Sequence, residues 1–248
     1  MNRLILTFFL LWSVGEGCAQ VAISQHFSTA FGQTAFSLPK AAKLYQNTLF
    51  VGNHIEYGIT NSTSIGIGVC PVYLKQTGFQ MFNAVNISQT FKFTEHEALR
   101  LGAVGGLGFA PKYAELTDFG GLYALYSRKI SEYDLITVGY GYFGSSTYFP
   151  PYLHQVNLNH KHAFKNSRLG VEVGAAVGWS QSNWGFEDWG TIWRVFNFRP
   201  TLVLTKKFDT GNSVFLGISG LKYADWAPSS VNGDYGFIWP SFGYSRYF

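Results

Sequence analysis

The chain has 248 residues with 18 Lys and Arg against 14 Asp and Glu, and only 13% of it is charged while 18% is aromatic and 28 residues are Gly. The excess of +4 is scattered rather than gathered into a basic run, which argues against a nucleic-acid partner. Beyond the first residues no apolar stretch is long enough for a membrane-spanning helix, so a greasy, glycine-rich chain of this kind has to satisfy its backbone through strands.

Residues 1–19 read as a secretory signal, with Arg3 as the positive start, an apolar run from Leu4 to Val14 and small residues at Gly15, Gly17 and Ala19. Cleavage after Ala19 leaves 248 − 19 = 229 residues, 20–248, with no composition break to divide them into domains. Gly15 and Glu16 stand where a lipobox before Cys18 needs other residues, which argues against lipidation. Cys70 is then the single thiol left, so neither a disulfide nor a thiolate metal site is expected. The glycines from Gly102 to Gly108 lack the Lys-Ser or Lys-Thr of a phosphate loop. No cofactor and no metal are expected.

Alternating segments follow one another along the mature chain. The periodicity predicts strands within 24–38 and over 45–59, 64–74, 79–93, 98–109, 120–130, 134–144, 152–164, 168–180, 192–208, 213–223 and 235–248. Connections alternate between short and long, the pattern of a barrel with turns at one end and loops at the other. The expected fold is all-β, a closed antiparallel transmembrane β-barrel of twelve strands, or ten if the N-terminal pair is poorly formed. An even count places both mature termini on one side, the periplasmic one.

The two faces of each strand differ in kind. Leu169, Val171, Val173, Val177 and Trp179 alternate with Gly170, Glu172, Gly174, Gly178 and Ser180, and Leu99, Leu101 and Leu107 alternate with Arg100, Gly102, Gly106 and Gly108. Facing lipid, the first sets are free of charge, so the second sets face the lumen, and a soluble sandwich would show charge on the exposed face instead. The same alternation aims Glu56, Lys92, Arg100, Glu172 and Arg199 inward from different strands, where charges of both signs are expected to pair as Arg–Glu contacts across a narrow, wet lumen.

From 235 to 248 one face reads Ile238, Pro240, Phe242, Tyr244, Arg246 and Phe248, and the other Trp239, Ser241, Gly243, Ser245 and Tyr247. This segment resembles the closing strand of Gram-negative outer-membrane barrels, which ends on an aromatic and is read by the barrel-assembly machinery; Arg246 stands where the pattern has an apolar residue. Tyr45-Gln46-Asn47-Thr48, Tyr57-Gly58-Ile59-Thr60 and Ser64-Ile65-Gly66 resemble a group of uncharacterised outer-membrane barrels, which implies fold and place in the bacterial outer membrane, with lipid and lipopolysaccharide as neighbours, but no activity.

Passage of small solutes, passive or ligand-assisted, or a surface structural role is the expected task of a porin-like barrel. The alternative is a lipid-acting barrel enzyme: His26 and Ser28 have the spacing found in outer-membrane phospholipases, yet Thr29 and Ala30 replace the Asn and Gly that follow there. His160 and His162 share a face near a turn, an interfacial position rather than a metal site. Trp184, Phe186, Glu187, Asp188, Trp189 and Trp226 fall in the outer loops, as girdle residues or external ligand contacts.

Overall fold

A computed structural model of the chain describes residues 34–48, 52–74, 78–110, 115–144, 152–165, 167–184, 191–208, 212–225 and 235–248. Twelve antiparallel strands close on themselves: β1 Lys43–Thr48, β2 Gly52–Gly58, β3 Thr63–Leu74, β4 Gly78–Lys92, β5 Glu97–Ala110, β6 Glu115–Lys129, β7 Asp134–Gly144, β8 Tyr152–Ala163, β9 Leu169–Trp184, β10 Thr191–Lys207, β11 Asn212–Asp225 and β12 Tyr235–Tyr247. Each strand pairs with its neighbours in sequence, and β1 pairs with β12 from Leu44↔Tyr247 to Thr48↔Gly243. Exposure alternates along the wall, with Leu101, Leu107, Val173, Trp179, Leu202 and Leu204 outward and exposed. An outer face that is apolar along the middle of the strands, with charges such as Arg128, Asp134 and Lys206 kept near the rim, over a closed hydrogen-bonded wall is the arrangement that suits lipid.

The twelve strands are not the twelve read from periodicity at the N-terminal end. The stretch 45–59 is a hairpin, β1 and β2, paired from Lys43↔Tyr57 to Thr48↔Gly52. Partners across that hairpin have the same parity, so inward and outward positions run through the turn unbroken and alternation cannot reveal it. The strand expected within 24–38 falls partly outside the described residues, and its remainder, 34–38, forms no strand. That remainder lies inside the barrel: Thr34, Ala35, Phe36, Ser37 and Leu38 are all buried.

One end of the barrel carries a sixfold repeat. Ile59, Phe93, Ile130, Phe164 and Phe208 each follow a strand, point outward, and donate a backbone N–H to the carbonyl that opens the next strand, at Thr63, Glu97, Asp134, Leu169 and Asn212. Phe248 donates in the same way to Lys43 at 2.9 Å and accepts from it at 3.2 Å. The terminal aromatic is thus the sixth member of an apolar girdle at the interface, and its turn partner is the start of β1. Toward the opposite rim, Tyr140, Tyr142, His154 and Trp179 cluster on the outer face, with His154 stacked on Trp179 at 5.5 Å and bonded to Tyr140 Oη at 2.7 Å.

Deleting Phe248 removes two closing hydrogen bonds, about 1 kcal/mol apiece, together with one girdle anchor. Unboiled wild type is expected to migrate as a compact band that shifts on heating, and the truncated chain to shift at a clearly lower temperature. An unchanged transition on the gel would show that closure does not depend on this residue.

Candidate functional site

The candidate site is the barrel interior. Arg100 on β5 reaches back over two strands to Glu56 on β2, and both side chains are wholly buried. The serines of the strands between complete the link. Arg100 Nε donates to Ser88 Oγ at 2.8 Å and its terminal nitrogen to Ser64 Oγ at 2.6 Å, while Ser64 Oγ donates to Glu56 Oε1 at 2.6 Å. Ser64 and Ser88 sit 3.0 Å apart, directly opposite one another in the β3–β4 register. Room for long polar groups comes from Gly66, where an added Cβ would fall 2.1 Å from Asn86 Oδ1 and 2.5 Å from His54 Nε2.

A second ionic pair occupies a different wall. Glu172 on β9 faces Lys161 on β8 in register, with Lys161 Nζ 3.8 Å from Glu172 Oε2, and both are buried. Glu172 therefore has a lysine partner where an arginine was expected. Arg199 holds an inward register position on β10, opposite Ala176, but its side chain lies outside the described ones. Lys92 shares the inward parity of Ser88 and Thr90 yet ends exposed at the turn rim.

The inner segment closes the turn end beside the Arg100 network. Ala35 N donates to Ser127 Oγ at 2.7 Å, and Thr90 Oγ1 donates to the Ala35 carbonyl at 3.0 Å. Ser37 Oγ donates to the Asn61 carbonyl at 2.6 Å, and Lys40 N to Asn61 Oδ1 at 2.9 Å. Ala35 and Phe36 join Ala98, Tyr123, Leu125 and Leu135 in an apolar cluster within the lumen, with Lys129 Nζ 4.8 Å above the Phe36 ring. At the rim the chain passes so close to the wall that a Cβ on Gly58 would meet the Pro39 carbonyl oxygen at 2.1 Å. Ala41 then takes φ of 66°, a left-handed turn that feeds the chain into β1.

At the turn rim the inward-parity positions Lys92, Lys129, Arg168 and Lys207 are all cationic. Lys161, Arg168, Thr205 and Lys207 line a cavity of about 120 Å³ there. Asp134, His160 and His162 meet on the outer side of the same rim, Asp134 Oδ1 lying 3.0 Å from His160 Nε2 and 2.8 Å from His162 Nδ1. Among the described residues no group of three or more His, Cys, Asp or Glu is arranged to hold a metal ion.

His26 and Ser28 lie outside the described residues, as do Phe186, Glu187, Asp188, Trp189 and Trp226. Of the loop aromatics only the backbone of Trp184 is described, as the last residue of β9 opposite Thr191. Lys161 was available to sequence reasoning, since it has the parity of Gln155 and Asn159. The two flanking histidines, which point the other way, masked it.

Wall, girdle and charged interior together define a membrane-spanning β-barrel of twelve strands. No protein-family model matches the sequence, and no curated protein matches it. Among solved structures the chain is similar to the KdgM porin, with a TM-score of 0.57 at 9% identity over 83% of this chain and 98% of that one. It is similar also to the KdgM porin in complex with disordered oligogalacturonate, with a TM-score of 0.56 at 8% identity over 83% of this chain and 96% of the other. LpxR from Salmonella typhimurium superposes at a TM-score of 0.47 and 8% identity over 84% and 100% of the two chains. The two likenesses to the KdgM porin support the barrel fold.

Removing Arg100 alone strands the Glu56 carboxylate in the interior, and Arg100→Ala is expected to cost about 3–5 kcal/mol in urea unfolding from lipid vesicles. Arg100→Met combined with Glu56→Leu, which removes both charges, should recover most of that loss. Equal stability of wild type and Arg100→Ala would mean that the pair is open to water in the membrane.

Proposed function

We propose that the protein is an outer-membrane channel for small anionic solutes, its turn end and both mature termini on the periplasmic side. The observation that carries this reading is the rim: Lys92, Lys129, Arg168 and Lys207 surround the turn-end mouth at inward positions, with no acidic residue at a described position of the same parity and level. Deeper in, the described charges balance, Arg100 against Glu56 and Lys161 against Glu172. The mouth therefore raises the local concentration of anions while the interior does not repel cations by net charge. The two KdgM structures are of a porin, and in one of them it is in complex with oligogalacturonate, a carboxylate-bearing oligosaccharide, which supports the same class of solute.

The inner segment sets the size of what passes. A barrel of twelve strands is wider than the eight-stranded kind that side chains fill, and here residues 34–38 occupy part of that extra width. The segment is held by few hydrogen bonds and one aromatic, so it acts as a restriction rather than as wall. In this setting β12 is the strand offered to the assembly machinery, the turn-end girdle meets the periplasmic lipid leaflet, and the opposite rim meets lipopolysaccharide.

In planar bilayers the wild type is expected to give a small, anion-preferring conductance. Phe36→Ala with Ser127→Ala should raise it several-fold by loosening the segment. Lys92→Glu with Lys129→Glu should reverse the selectivity, read from the reversal potential in a salt gradient. A wild type without conductance whose loosened variant is also silent would remove the channel reading and leave a structural role.

A further inference from the structure

The cavity at the turn end sits on a floor that the sequence keeps small. Ala163 on β8, Gly170 on β9 and Thr205 on β10 are partners across two ladders and form one inward row. A Cβ added at Gly170 would have the His162 carbonyl oxygen at 3.2 Å and the Ala163 Cα at 3.9 Å as its neighbours, both of them backbone atoms. The middle of the row is therefore low. Deeper in the barrel the next inward row is Lys161, Glu172 and Val203. On the rim side stand Arg168 and Lys207, joined by a hydrogen bond from Lys207 N to the Arg168 carbonyl at 2.8 Å. Cations thus border the low row on both sides, and the cavity of about 120 Å³ that they enclose has no acidic residue in its lining.

Two of the groups in that lining are unlike a solvated rim of lysines. Lys161 and Thr205 are each only 3% exposed. Thr205 Oγ1 is buried without a hydrogen-bond partner, a costly state for a hydroxyl, and it lines the cavity. Glu172, 3.8 Å from Lys161 Nζ, offsets one of the three positive charges.

Size and direction then select a ligand. A volume of about 120 Å³ is far below the roughly 300–1,000 Å³ of sites that take drug-sized molecules, so sugar chains and nucleotides are too large and a small ion fits. Donors approach from the floor at Thr205, from the barrel side at Lys161 and from the rim at Arg168 and Lys207. That spread suits acceptor oxygens pointing in several directions better than the two coplanar oxygens of a carboxylate, and a guanidinium fork matches two oxygens of one phosphate. We infer that the cavity over Gly170 binds one tetrahedral oxyanion of the phosphate class, taken from the lumen as the free ion. The site rests on the anion-channel reading for its place on a path, though not for its chemistry: the cationic mouth gathers anions, and this cavity is where a phosphate stops.

The test is titration calorimetry of inorganic phosphate into the folded full-length barrel in detergent micelles, with chloride as the background anion and heat-shifted gel mobility as the check on folding. Wild type is expected to bind one phosphate per chain. Thr205→Val, which keeps the shape and removes the hydroxyl, and Lys207→Gln should each weaken binding tenfold or more, and Ala163→Leu should abolish it by filling the floor. Lys206→Gln removes the same charge one residue away, where the amine lies over the outward Phe208 ring, and should leave the affinity unchanged. Absence of saturable phosphate binding in wild type would overturn the site, and equal losses in Lys206→Gln and Lys207→Gln would reduce it to diffuse attraction. The titration is repeated in vesicles of neutral and of anionic phospholipid, where equal affinities are expected; a tenfold loss in the anionic vesicles would put a lipid headgroup in the cavity and overturn uptake from the lumen. Bilayer currents in chloride keep the two readings apart. Anion-preferring current from a wild type that binds no phosphate would remove the site and leave the channel, whereas phosphate binding without conductance would support the site and remove the channel.

Discussion

Everything in this structure depends on the need to pair each backbone N–H and C=O where no water is available to do it. The requirement makes a strand with a free edge intolerable and so forces the first strand onto the last. Phe248 shows how local that logic is: its hydrogen bonds to Lys43 reproduce those that close the five turns of the same rim. An aromatic at the chain terminus is therefore a girdle residue whose turn happens to be an intermolecular-looking junction between two ends of one chain.

The interior answers a different demand. Glycine and serine keep the inward faces small, which leaves space for a few long charged side chains, and those charges then need partners because they have left bulk water. Arg100 finds Glu56 by lying over Ser88 and Ser64, so the β2–β5 wall is stitched by side chains as well as by its ladder. Lys161 and Glu172 answer each other across a single ladder on the opposite wall. Between these walls the segment 34–38 fills space that a twelve-stranded barrel would otherwise leave open, and the cationic rim stands just outside it.

The barrel was legible because lipid imposes a period of two on every wall strand, and the period survives any turn that keeps parity. That same property hid the β1–β2 hairpin, since Tyr45, Asn47, Asn53 and Ile55 all remain outward through the turn. The strand count came out at twelve because the stretch 45–59 supplies two strands of the barrel, β1 and β2, while the described part of 24–38, residues 34–38, forms none. Phe36 falls within the stretch 24–38 that reads as a strand, and spacing alone does not distinguish an apolar side chain of a wall strand from one that packs inside with Tyr123 and Leu125. Inward charges such as Glu56 and Arg100 could be placed by parity, but their partners could not, because pairing across two intervening strands depends on register and tilt. Phe186, Glu187, Asp188, Trp189 and Trp226, expected as external contacts, fall between the periodic stretches of the sequence and outside the described residues.

Residues 34–38 lie inside the barrel that the strands after them build. Ala35 N lies 2.7 Å from Ser127 Oγ, which places the two Cα atoms within about 6.5 Å by standard bond lengths and inside the range a disulfide spans. With Cys18 and Cys70 replaced by Ser, Ala35→Cys and Ser127→Cys should oxidise to one intrachain disulfide in protein folded in membranes, seen as a linked peptide pair by mass spectrometry. Two free thiols, both open to a bulky water-soluble maleimide in the folded barrel, would contradict an inner segment held against β6.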